Sequence, residues 1–570
     1  INDDSGFVKI KDQVFLLPEE ISKKLRMIAK FAGSTEFDEN GKLKISKVQS
    51  LFLSSILEQE SESQVQVNKD IFTSLMNAKS KISKVNLIPK DFIGELRPYQ
   101  KLGVGWLNKL LEHGLGGLLA DDMGLGKTVQ VIAFLTKARQ ADQLTKARQT
   151  DQLTKARQTA QPKAPDSNRQ VLIVCPKSLI FNWNDEFVKF SPKTRVLCYQ
   201  GKNRQTLLED ISKYDVIITT YHSLRQDIQL LRQHQFKYFI VDEAQNIKNS
   251  DSQVSMACRL VKASHVFALT GTPVENSIQD FFSIMNVVLP GLFSAEKNMM
   301  KYASEDVQLL AKAFSPFILR RKKQEVLKDL PSKSEQVLYC ELSGEEKQKY
   351  EELKNYYWGQ LKGVIDQQGL NRSKIQVLEA LLRLRQASCH IGLLDQTKRD
   401  FVSAKFELLL EQIQEIISEG HKVLVFSQFT QLLELFKIQL NRLNLSYHYL
   451  DGQTKDRKEI VTDFQMHYDK KIFLLSLKAG GVGLNLTAAE YVFILDPWWN
   501  PAVEAQAIDR AHRIGQTKKV FAYKMIAKDT VEEKILKLQE TKKDLLENLL
   551  SQKKSVLKNM TFEEISEIFS

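Results

Sequence analysis

The strongest constraint on the fold of this 570-residue chain is a set of short apolar runs, each ending in polar or glycine-rich residues. Such runs are typical of buried strands in a parallel sheet, whose carboxyl ends carry the chemistry. One series occupies residues 89–295 and another occupies residues 400–528. The first comprises GGLLA, VLIVCP, DVIITTY, YFIVDEA and HVFALTGTP, and the second KVLVFSQ, SYHYLDG, IFLLSLKAG, YVFILD and VFAYKMI. The sequence therefore predicts an α/β protein with two parallel-sheet lobes.

Helical patterns predict how the rest of the chain is organised. Residues 1–88 place apolar positions three and four apart, which predicts a helical accessory domain. Residues 296–399 are rich in Lys, Arg, Glu and Leu and predict helical insertions between the lobes. In residues 529–570, Thr530 and Glu533 have the spacing of a capping box, which predicts C-terminal helices.

Three near-identical nonapeptides follow one another without a break from Leu135 to Gln161: LTKARQADQ, LTKARQTDQ and LTKARQTAQ. At about 100° per residue, nine residues turn a helix through two and a half turns, so Leu135 and Leu144 would face opposite sides. No continuous apolar stripe results. We interpret the basic segment 135–166 as a tandem expansion in a surface loop of the first lobe, with a DNA-contacting basic arm as the alternative.

Composition limits the class of protein. With 43% apolar and 26% charged residues the chain is typical of globular proteins, and it lacks an apolar run long enough to cross a bilayer. We therefore expect an intracellular protein without a membrane partner. A net charge of +12 favours a polyanionic partner.

The string GLLADDMGLGKT reads as a strand, a glycine-rich turn and the start of a helix. Backbone N–H groups of such a loop bind phosphate oxygens, and Gly124 and Gly126 allow close approach. Lys127 supplies a positive charge, and the Thr128 hydroxyl is a ligand for Mg²⁺. Asp121 stands where the general pattern has its first glycine, which is a departure from that pattern.

A second acidic motif follows the strand KYFIVDEAQ. Its adjacent carboxylates suit two roles: Asp242 holds Mg²⁺, and Glu243 polarises the water that attacks a γ-phosphate. Together with the phosphate loop, the pair predicts a nucleotide-hydrolysis site that uses ATP and Mg²⁺.

The second lobe contains the string PAVEAQAIDRAHRIGQ. There Gln506, Arg510 and Arg513 are spaced i, i+4 and i+7, which predicts that they share one face of a helix. Arginine stabilises charge that develops on a transferred phosphoryl group, so both arginines are catalytic candidates and Gln506 a nucleotide-binding one.

In order along residues 95–535, the chain resembles the Swi/Snf-type ATPases of the second helicase superfamily. The matching strings are LRPYQ, DDMGLGKT, VLIVCPKSLIFNW, TTYHSL, DEAQ, ALTGTPVENS, LRRKKQEVLKDLP, LRQASCH, VLVFSQF, LDGQT, SLKAGGVGLNL and QAIDRAHRIGQ. The resemblance implies that the lobes are RecA-like and that Gln100 recognises adenine. It also implies that Thr270, Gly271 and Thr272 couple hydrolysis to lobe movement. Gln245 replaces the more frequent His of the DEAH form.

The same resemblance implies contacts with the DNA backbone from both lobes. In the second lobe, Trp499 would lie against the duplex groove, with a core tryptophan as the alternative. The other implied contacts are Lys177, Ser178, Thr219 and Thr220 in the first lobe and Gln428, Gln453, Thr454, Lys478 and Gly480 in the second.

The function implied by the resemblance is an ATP-dependent double-stranded DNA translocase. It would remodel or displace protein–DNA complexes without separating the strands. The implied partners are double-stranded DNA and DNA-bound proteins, and the motor is expected to be monomeric. Alternatives are the motor of a eukaryotic nucleosome remodeller, an RNA or DNA helicase of the same superfamily, and a scaffold with a dead ATPase. The compact architecture resembles bacterial members, which favours the bacterial cytoplasm over the nucleus.

Overall fold

The structure is a computed structural model in which two compact units can be distinguished. One consists mainly of residues up to Val326 and the other mainly of residues from Leu327. The residues described are 7–10, 13–16, 69–80, 88–154, 170–201, 203–271, 278–290, 314–327, 329–368, 373–477, 484–497 and 501–537.

The first unit is built on a seven-stranded sheet in which every strand pair is parallel. Its strand order is β5-β6-β4-β7-β8-β3-β9. The central strands are fully buried, as the apolar runs of the sequence predict. The strands are β3 (Gly117–Leu119), β4 (Val171–Cys175), β5 (Val196–Tyr199), β6 (Val216–Thr220), β7 (Phe236–Asp242), β8 (Ala263–Leu269) and β9 (Ile318–Leu319).

The helices of the first unit connect these strands. Between them and the sheet lies a core of large side chains, among which Trp106, Trp183 and Phe134 are fully buried. The helices are α1 (Lys69–Ser80), α2 (Pro98–Glu112), α3 (Lys127–Thr154), α4 (Ile180–Phe190), α5 (Tyr221–Leu231), α6 (Gln253–Arg259), α7 (Ile278–Val288) and α8 (Lys323–Val326).

The N-terminal region differs in part from the helical prediction. Its described residues form an antiparallel hairpin of β1 (Phe7–Ile10) and β2 (Gln13–Leu16), followed later by α1. The sequence prediction did not include the hairpin, because these strands are only four residues long. Most of residues 1–88 lies outside the described part of the chain.

The repeat segment corrects the loop prediction. α3 continues without interruption from the phosphate loop to Thr154, through the first repeat and into those that follow. The prediction of a surface loop was wrong here, because Leu, Lys, Ala, Arg and Gln all favour helix and no Gly or Pro interrupts them. Leu135 and Ala138 of the first repeat are buried. Residues 155–169 lie outside the described part of the chain.

The second unit contains a six-stranded sheet in which every strand pair is parallel, with the order β10-β15-β14-β11-β13-β12. Alternate residues of a strand enter different cores: Val423 and Val425 lie in one cluster, while Leu424 and Phe426 lie in the other. The strands are β10 (Lys333–Cys340), β11 (Val423–Ser427), β12 (Tyr447–Leu450), β13 (Ile472–Ser476), β14 (Tyr491–Ile494) and β15 (Val520–Ala527).

The helices of the second unit include two long ones that form a separate cluster. This cluster also takes in Val531 and Ile535 of a helical segment at residues 531–537, whose start was predicted from Thr530. The helices are α9 (Gly344–Gln368), α10 (Lys374–Cys389), α11 (Ala404–Ser418), α12 (Thr430–Arg442), α13 (Arg457–Met466) and α14 (Pro501–Ile508).

Two strands come from the segment predicted to be helical insertions, residues 296–399. β9 pairs with β3 at the edge of the first sheet, and β10 pairs with β15 at the edge of the second. Neither was predicted, because β9 has two residues and β10 is mostly half-buried or exposed, so neither gives an apolar run. Among the described helices, none combines the length and apolarity needed to cross a membrane.

Candidate functional site

The parallel sheet of the first unit brings the predicted motifs to one edge. Strands β3, β4, β6, β7 and β8 are parallel, so their carboxyl ends share that edge. The phosphate loop follows β3, Asp242 ends β7, and Thr270 follows β8. The motifs therefore lie side by side because their strands are neighbours in the sheet, in the order β6-β4-β7-β8-β3, although they are far apart in the chain.

The backbone of the phosphate loop depends on its glycines. Gly124 and Gly126 have φ values of 82° and 73°, in the left-handed region that favours glycine. A Cβ on Gly126 would lie 2.7 Å from Nε2 of Gln100, the predicted adenine-binding residue. The structure thus places Gln100 beside the phosphate loop. Its Oε1 accepts a hydrogen bond of 2.9 Å from the backbone N–H of Arg97, which fixes the side chain at the start of α2.

Lys127 begins α3 and points its ammonium back into the loop. Its Nζ donates to the carbonyl of Asp121 at 2.6 Å and to that of Asp122 at 3.3 Å. Burial lowers the pKa of Lys127, while the carboxylates of Glu243 and Asp121 act in the opposite direction. The half-buried Thr128 follows directly in the first turn of the helix.

Asp242 is held at the end of β7 by a tryptophan. The indole N–H of Trp183 donates to Oδ2 of Asp242 at 2.8 Å, and the N–H of Glu243 donates to Oδ1 at 2.9 Å. Burial, followed by the charge of Glu243, raises the pKa of Asp242 to about 7. A carboxylate placed in this way gains from a nearby cation, and together with the Thr128 hydroxyl it provides the oxygen ligands that Mg²⁺ prefers.

Glu243 adopts a backbone conformation that is uncommon for residues other than glycine. Its φ and ψ are 50° and 58°, in the left-handed region. The hydroxyl of Tyr221 donates to the Asp242 carbonyl at 2.5 Å, and Asn246 Nδ2 donates to the Glu243 carbonyl at 2.8 Å. These bonds hold the strained turn, and strain of this kind is found mainly at functional sites.

Gln245 connects Glu243 to the next strand end. Its Nε2 donates to Oε2 of Glu243 at 2.8 Å, and its Oε1 accepts from the Thr270 hydroxyl at 3.0 Å. An amide can donate and accept at once without changing its charge. The residue that replaces His in the motif therefore bridges the catalytic candidate and the predicted coupling residue. Thr270 and Gly271 are buried, whereas Thr272 lies outside the described residues.

The predicted DNA contacts of the first unit have different surroundings. Lys177 is exposed after β4, and Ser178 follows it in the same short turn. Thr219 is fully buried and donates its hydroxyl to the Tyr199 carbonyl, so the expected phosphate contact through this hydroxyl is not supported. Thr220 is also buried, and its hydroxyl caps α5 by accepting from the N–H of Ser223.

In the second unit, predicted DNA contacts lie in the loops that follow β11 and β12. Gln428 follows β11, and among the described residues its Nε2 has no hydrogen-bond partner. Gln453 is exposed, and Thr454 donates its hydroxyl to Oδ1 of Asp451 at 3.0 Å, which closes the loop after β12. Lys478, Gly480 and Trp499 lie outside the described residues.

The helical geometry expected for Gln506, Arg510 and Arg513 was wrong. α14 ends at Ile508, and both arginines lie in the turns that follow. Beyond Ile508 the N–H groups of Arg510 and Ala511 bond to carbonyls three residues back, and the Arg510 carbonyl accepts from the N–H of Leu486 at 3.0 Å. Arg510 is buried, and Arg513 is half-buried with a terminal nitrogen 3.3 Å from the Leu484 carbonyl.

Sequence reasoning missed three side chains that support the first unit's site. Trp183 lies in the quoted string VLIVCPKSLIFNW, and a buried indole needs an acceptor, so a signal existed. Tyr221 donates to the carbonyl of Asp242, and Arg321 pairs with Asp121, which lies 200 residues earlier in the chain, so the spacing of the sequence motifs did not indicate that pair.

Comparison with known families gives the same assignment as the motifs. Residues 99–393, more than half of the chain, match the SNF2-related domain, and residues 404–515 match the helicase conserved C-terminal domain. The chain belongs to the SNF2-related family. The family resemblance inferred from the sequence is confirmed.

Individual relatives in this family come from bacteria and eukaryotes. An uncharacterized ATP-dependent helicase of Mycoplasma pneumoniae is 37% identical over 84% of this chain and 44% of its own length. A putative ATP-dependent helicase/translocase of Bacillus subtilis, YwqA, is 33% identical over 88% of this chain and 54% of its own length. The ISWI chromatin-remodeling complex ATPase ISW1 of Saccharomyces cerevisiae is 31% identical over 82% of this chain and 41% of its own. This SNF2-related chain thus spans about half or less of the length of these relatives.

A solved structure also matches the SNF2-related chain. The SWI2/SNF2 ATPase core of Sulfolobus solfataricus, in complex with dsDNA, is 32% identical, with 86% of this chain and 99% of that chain covered and a TM-score of 0.40.

Proposed function

We propose that this SNF2-related chain is an ATP-hydrolysing motor that translocates along double-stranded DNA. The observation that carries the proposal is the grouping of Lys127, Asp242 and Glu243 at one sheet edge. There the charges of both carboxylates act on the Lys127 ammonium. A half-buried cation beside two carboxylates after a glycine-rich loop suits the binding and hydrolysis of a nucleoside triphosphate.

Each residue has a role in this proposal. The loop N–H groups and Lys127 bind phosphate oxygens, and Gln100 recognises the adenine. Thr128 and Asp242 would hold Mg²⁺, which neutralises phosphate charge when bound. Glu243 polarises the attacking water, and its orientation is supported by the strained backbone and by the Gln245 amide.

The second unit contributes cations in this proposal. Arg510 and Arg513 stabilise the charge that develops on the γ-phosphoryl group, and Gln506 assists nucleotide binding. The wrong helical geometry does not remove this role, since turns as well as helices can present a guanidinium. Thr270, Gly271 and Thr272 then couple hydrolysis to movement, supported by the hydrogen bond from Thr270 to Gln245.

DNA binding is supported by the net charge of +12 and by the family motifs. The exposed Lys177 and Gln453 and the amide of Gln428 suit contacts with phosphate oxygens. We propose the same for Ser178, Thr220, Thr454, Lys478, Gly480 and Trp499. For Thr219, only the backbone is proposed to approach DNA.

The setting proposed is a bacterial cytoplasm, where a monomeric motor displaces or remodels DNA-bound proteins. It is supported by the 37% identity to the Mycoplasma relative, against 31% to the yeast remodelling ATPase. The alternative is the motor of a eukaryotic nucleosome remodeller, which is suggested by the name of the yeast relative, a chromatin-remodeling complex ATPase.

One comparison tests the proposal. ATP hydrolysis is measured at fixed salt without nucleic acid and with duplex DNA, single-stranded DNA or duplex RNA, because phosphate contacts depend steeply on salt. We expect the strongest stimulation by duplex DNA, and displacement of a triplex-forming strand without duplex separation. Equal stimulation by duplex RNA, or unwinding of the duplex, would contradict the translocase.

A further inference from the structure

Arg321 is a buried arginine directly behind the phosphate loop of the first unit. It follows β9, and it is 8% exposed, whereas its neighbour Arg320 is exposed. The pair belongs to the string LRRKKQEV, in which both arginines look like surface residues. Burial of one of them requires partners that compensate its charge.

The main partner of Arg321 is Asp121, the residue that replaces the first glycine of the general phosphate-loop pattern. Nε of Arg321 donates to Oδ1 of Asp121 at 2.8 Å, and a terminal nitrogen donates to Oδ2. The pair is therefore bidentate, with Asp121 fully buried. An unpaired carboxylate at the head of a loop that binds phosphate would repel its ligand, and the guanidinium neutralises it.

The terminal nitrogens of Arg321 also contact two other elements. The one that donates to Asp121 also donates to Oε1 of Gln130 in α3 at 2.8 Å, and Gln130 in turn donates to Oδ2 of Asp121 at 3.1 Å. The other donates to the carbonyl of Tyr99 in α2, and the guanidinium carbon lies 5.2 Å from the centre of the Tyr99 ring. Tyr99 immediately precedes Gln100. One side chain thus binds the phosphate loop, the helix after it and the helix that carries the adenine candidate.

Backbone contacts continue the pairing of β3 and β9 into the loop. The N–H of Ala120 donates to the Leu319 carbonyl at 2.7 Å, and the N–H of Asp122 donates to the Arg321 carbonyl at 3.1 Å. The N–H of Lys323 donates to Oδ2 of Asp122 at 2.9 Å. The first residues of the phosphate loop are therefore fixed by a segment that lies about 200 residues later in the chain.

α2 approaches this cluster so closely that it needs a glycine. A Cβ on Gly103 would lie 1.9 Å from Oε1 of Gln130 and 3.0 Å from a terminal nitrogen of Arg321. Both of those side chains are buried and engaged in hydrogen bonds, so neither has free space into which to move. The position of α2 is accordingly tied to the Arg321 cluster.

We propose that Arg321 is a positioning residue that holds the adenine-side helix α2 and the phosphate loop in one fixed arrangement for nucleotide binding. The inference rests on the proposed binding of ATP. Arg321 does not touch the reacting atoms in this assignment; it acts through Asp121, Gln130 and Tyr99.

The test compares Arg321→Lys with a matched control in the full chain. Lysine keeps the charge but lacks the planar fork that contacts three partners. We expect the KM for ATP to rise about tenfold, because α2 and the phosphate loop are no longer held together for ATP binding. The kcat should stay within about twofold, because the groups that act on the γ-phosphate are unchanged. A purely structural role would lower the active fraction and kcat, with KM unchanged.

The control is Arg204→Lys. Arg204 pairs with Asp227 in the same unit, with side chains 14% and 2% exposed, against 10% and 0% for Arg321 and Asp121. We expect this variant to lose thermal stability without any change in KM. A KM for Arg321→Lys equal to that of the wild type would overturn the proposal. Absence of ATP binding in the wild type would instead contradict the proposed function.

A second variant covers the case in which Arg321→Lys does not fold. The double variant Asp121→Asn with Arg321→Met removes both charges together, which avoids a single unpaired buried charge. A raised KM in this variant supports the proposal, and a wild-type KM overturns it. Failure of both variants to fold, with Arg204→Lys folded, would show a role in folding and also overturn positioning.

Discussion

The backbone of Glu243 adopts a strained conformation, and hydrogen bonds from neighbouring side chains stabilise it. A left-handed φ of 50° on a non-glycine residue is held by Tyr221 and Asn246. Lys127 is likewise held, by the carbonyls of its own loop. The backbone turn at Glu243 and the Lys127 ammonium therefore both have hydrogen-bond partners within the first unit.

The first prediction separates binding from hydrolysis at these two residues. Glu243→Gln should reduce ATP turnover at least about a hundredfold while retaining ATP affinity, because only the attacking water loses its base. Lys127→Ala should lose both turnover and affinity, because the phosphate contact disappears. Turnover and equilibrium binding of a fluorescent ATP analogue measure the two effects. Near-normal turnover in either variant would contradict the proposed site.

The second prediction concerns Trp183, which donates to Asp242. Trp183→Phe keeps an aromatic ring but leaves a buried carboxylate oxygen without its donor, so we expect weaker Mg²⁺ binding and a higher Mg²⁺ requirement for hydrolysis. Titration of Mg²⁺ at saturating ATP measures this shift.

Trp106→Phe is the matched control for that substitution. Trp106 is also fully buried in the first unit and donates to the Pro316 carbonyl at 3.0 Å. It should lose a similar amount of thermal stability with an unchanged Mg²⁺ requirement. Identical Mg²⁺ titrations for both variants would indicate that Trp183 serves packing alone.

Among the elements, α3 combines a buried beginning with a repetitive continuation. In the first repeat Leu135 and Ala138 are buried, and Arg139 lies 3.3 Å from a carboxylate oxygen of Asp215. These contacts attach the first nonapeptide to the rest of the unit. Because these contacts lie in the first repeat, removal of the later repeats leaves them in place.

The third prediction follows from that arrangement. Deletion of residues 144–161 should leave the melting temperature and basal ATP turnover unchanged, since the first repeat stays in place. Leu135→Ala should instead destabilise the unit by about 2–5 kcal/mol, as buried leucines do. A melting curve and a turnover assay compare the two. A large fall in DNA affinity at fixed salt after the deletion would favour the basic-arm alternative.

α1 is attached to the edge of the first sheet by a half-buried lysine, Lys79. Nζ of Lys79 donates to the carbonyls of Ser315 and Ile318, the latter at 2.6 Å. Burial lowers the pKa of Lys79 from 10.5 to about 8. The N-terminal region is thereby connected to the strand that leads to Arg321.

The fourth prediction is a pH dependence of this attachment. Between pH 8 and 10.5 the folded chain binds fewer protons at Lys79 than the unfolded chain, so its stability rises with pH in that window. Relative to Lys79→Met, the wild type should gain unfolding free energy as the pH rises from 8, with no such trend below 8. Denaturant titrations at several pH values measure the difference. Parallel curves for the two proteins would show that Lys79 keeps an ordinary pKa.

At the scale of the whole molecule, the proposed catalytic residues are divided between the two units of the chain. Arg510 and Arg513 belong to the second unit, and Lys127 and Glu243 belong to the first. Transition-state charge is the natural target of such arginines, because their effect appears only as the γ-phosphoryl group transfers.

The fifth prediction tests that division of labour. Arg513→Ala should reduce kcat by about a thousandfold with little change in ATP affinity. Arg510→Ala should do the same, with a melting curve as control because its side chain is buried. Loss of nucleotide affinity with normal kcat would indicate a ground-state role instead.

The two parallel sheets, the order of their motifs and the family were predictable from the residues alone, because those depend on local patterns. A buried parallel strand is a short apolar run wherever it lies, and a phosphate loop requires glycines at fixed spacing, as at Gly124 and Gly126. Local spacing alone was insufficient at one place: it predicted one helix face for Gln506, Arg510 and Arg513, whereas α14 ends at Ile508 and the Arg510 carbonyl accepts from the N–H of Leu486.

The side chains that support the site were not predictable in this way, because their partners lie in distant segments of the chain. In the sequence Asp121 is a departure from the phosphate-loop pattern, and in the structure it pairs with Arg321. The resemblance implied that Thr219 contacts DNA, whereas in the structure its hydroxyl donates to the Tyr199 carbonyl. The two-residue strand β9 carries no sequence signal, although it brings Arg321 to the phosphate loop. Such pairings are set by the packing of distant segments, and their energies depend on burial that a linear pattern does not contain.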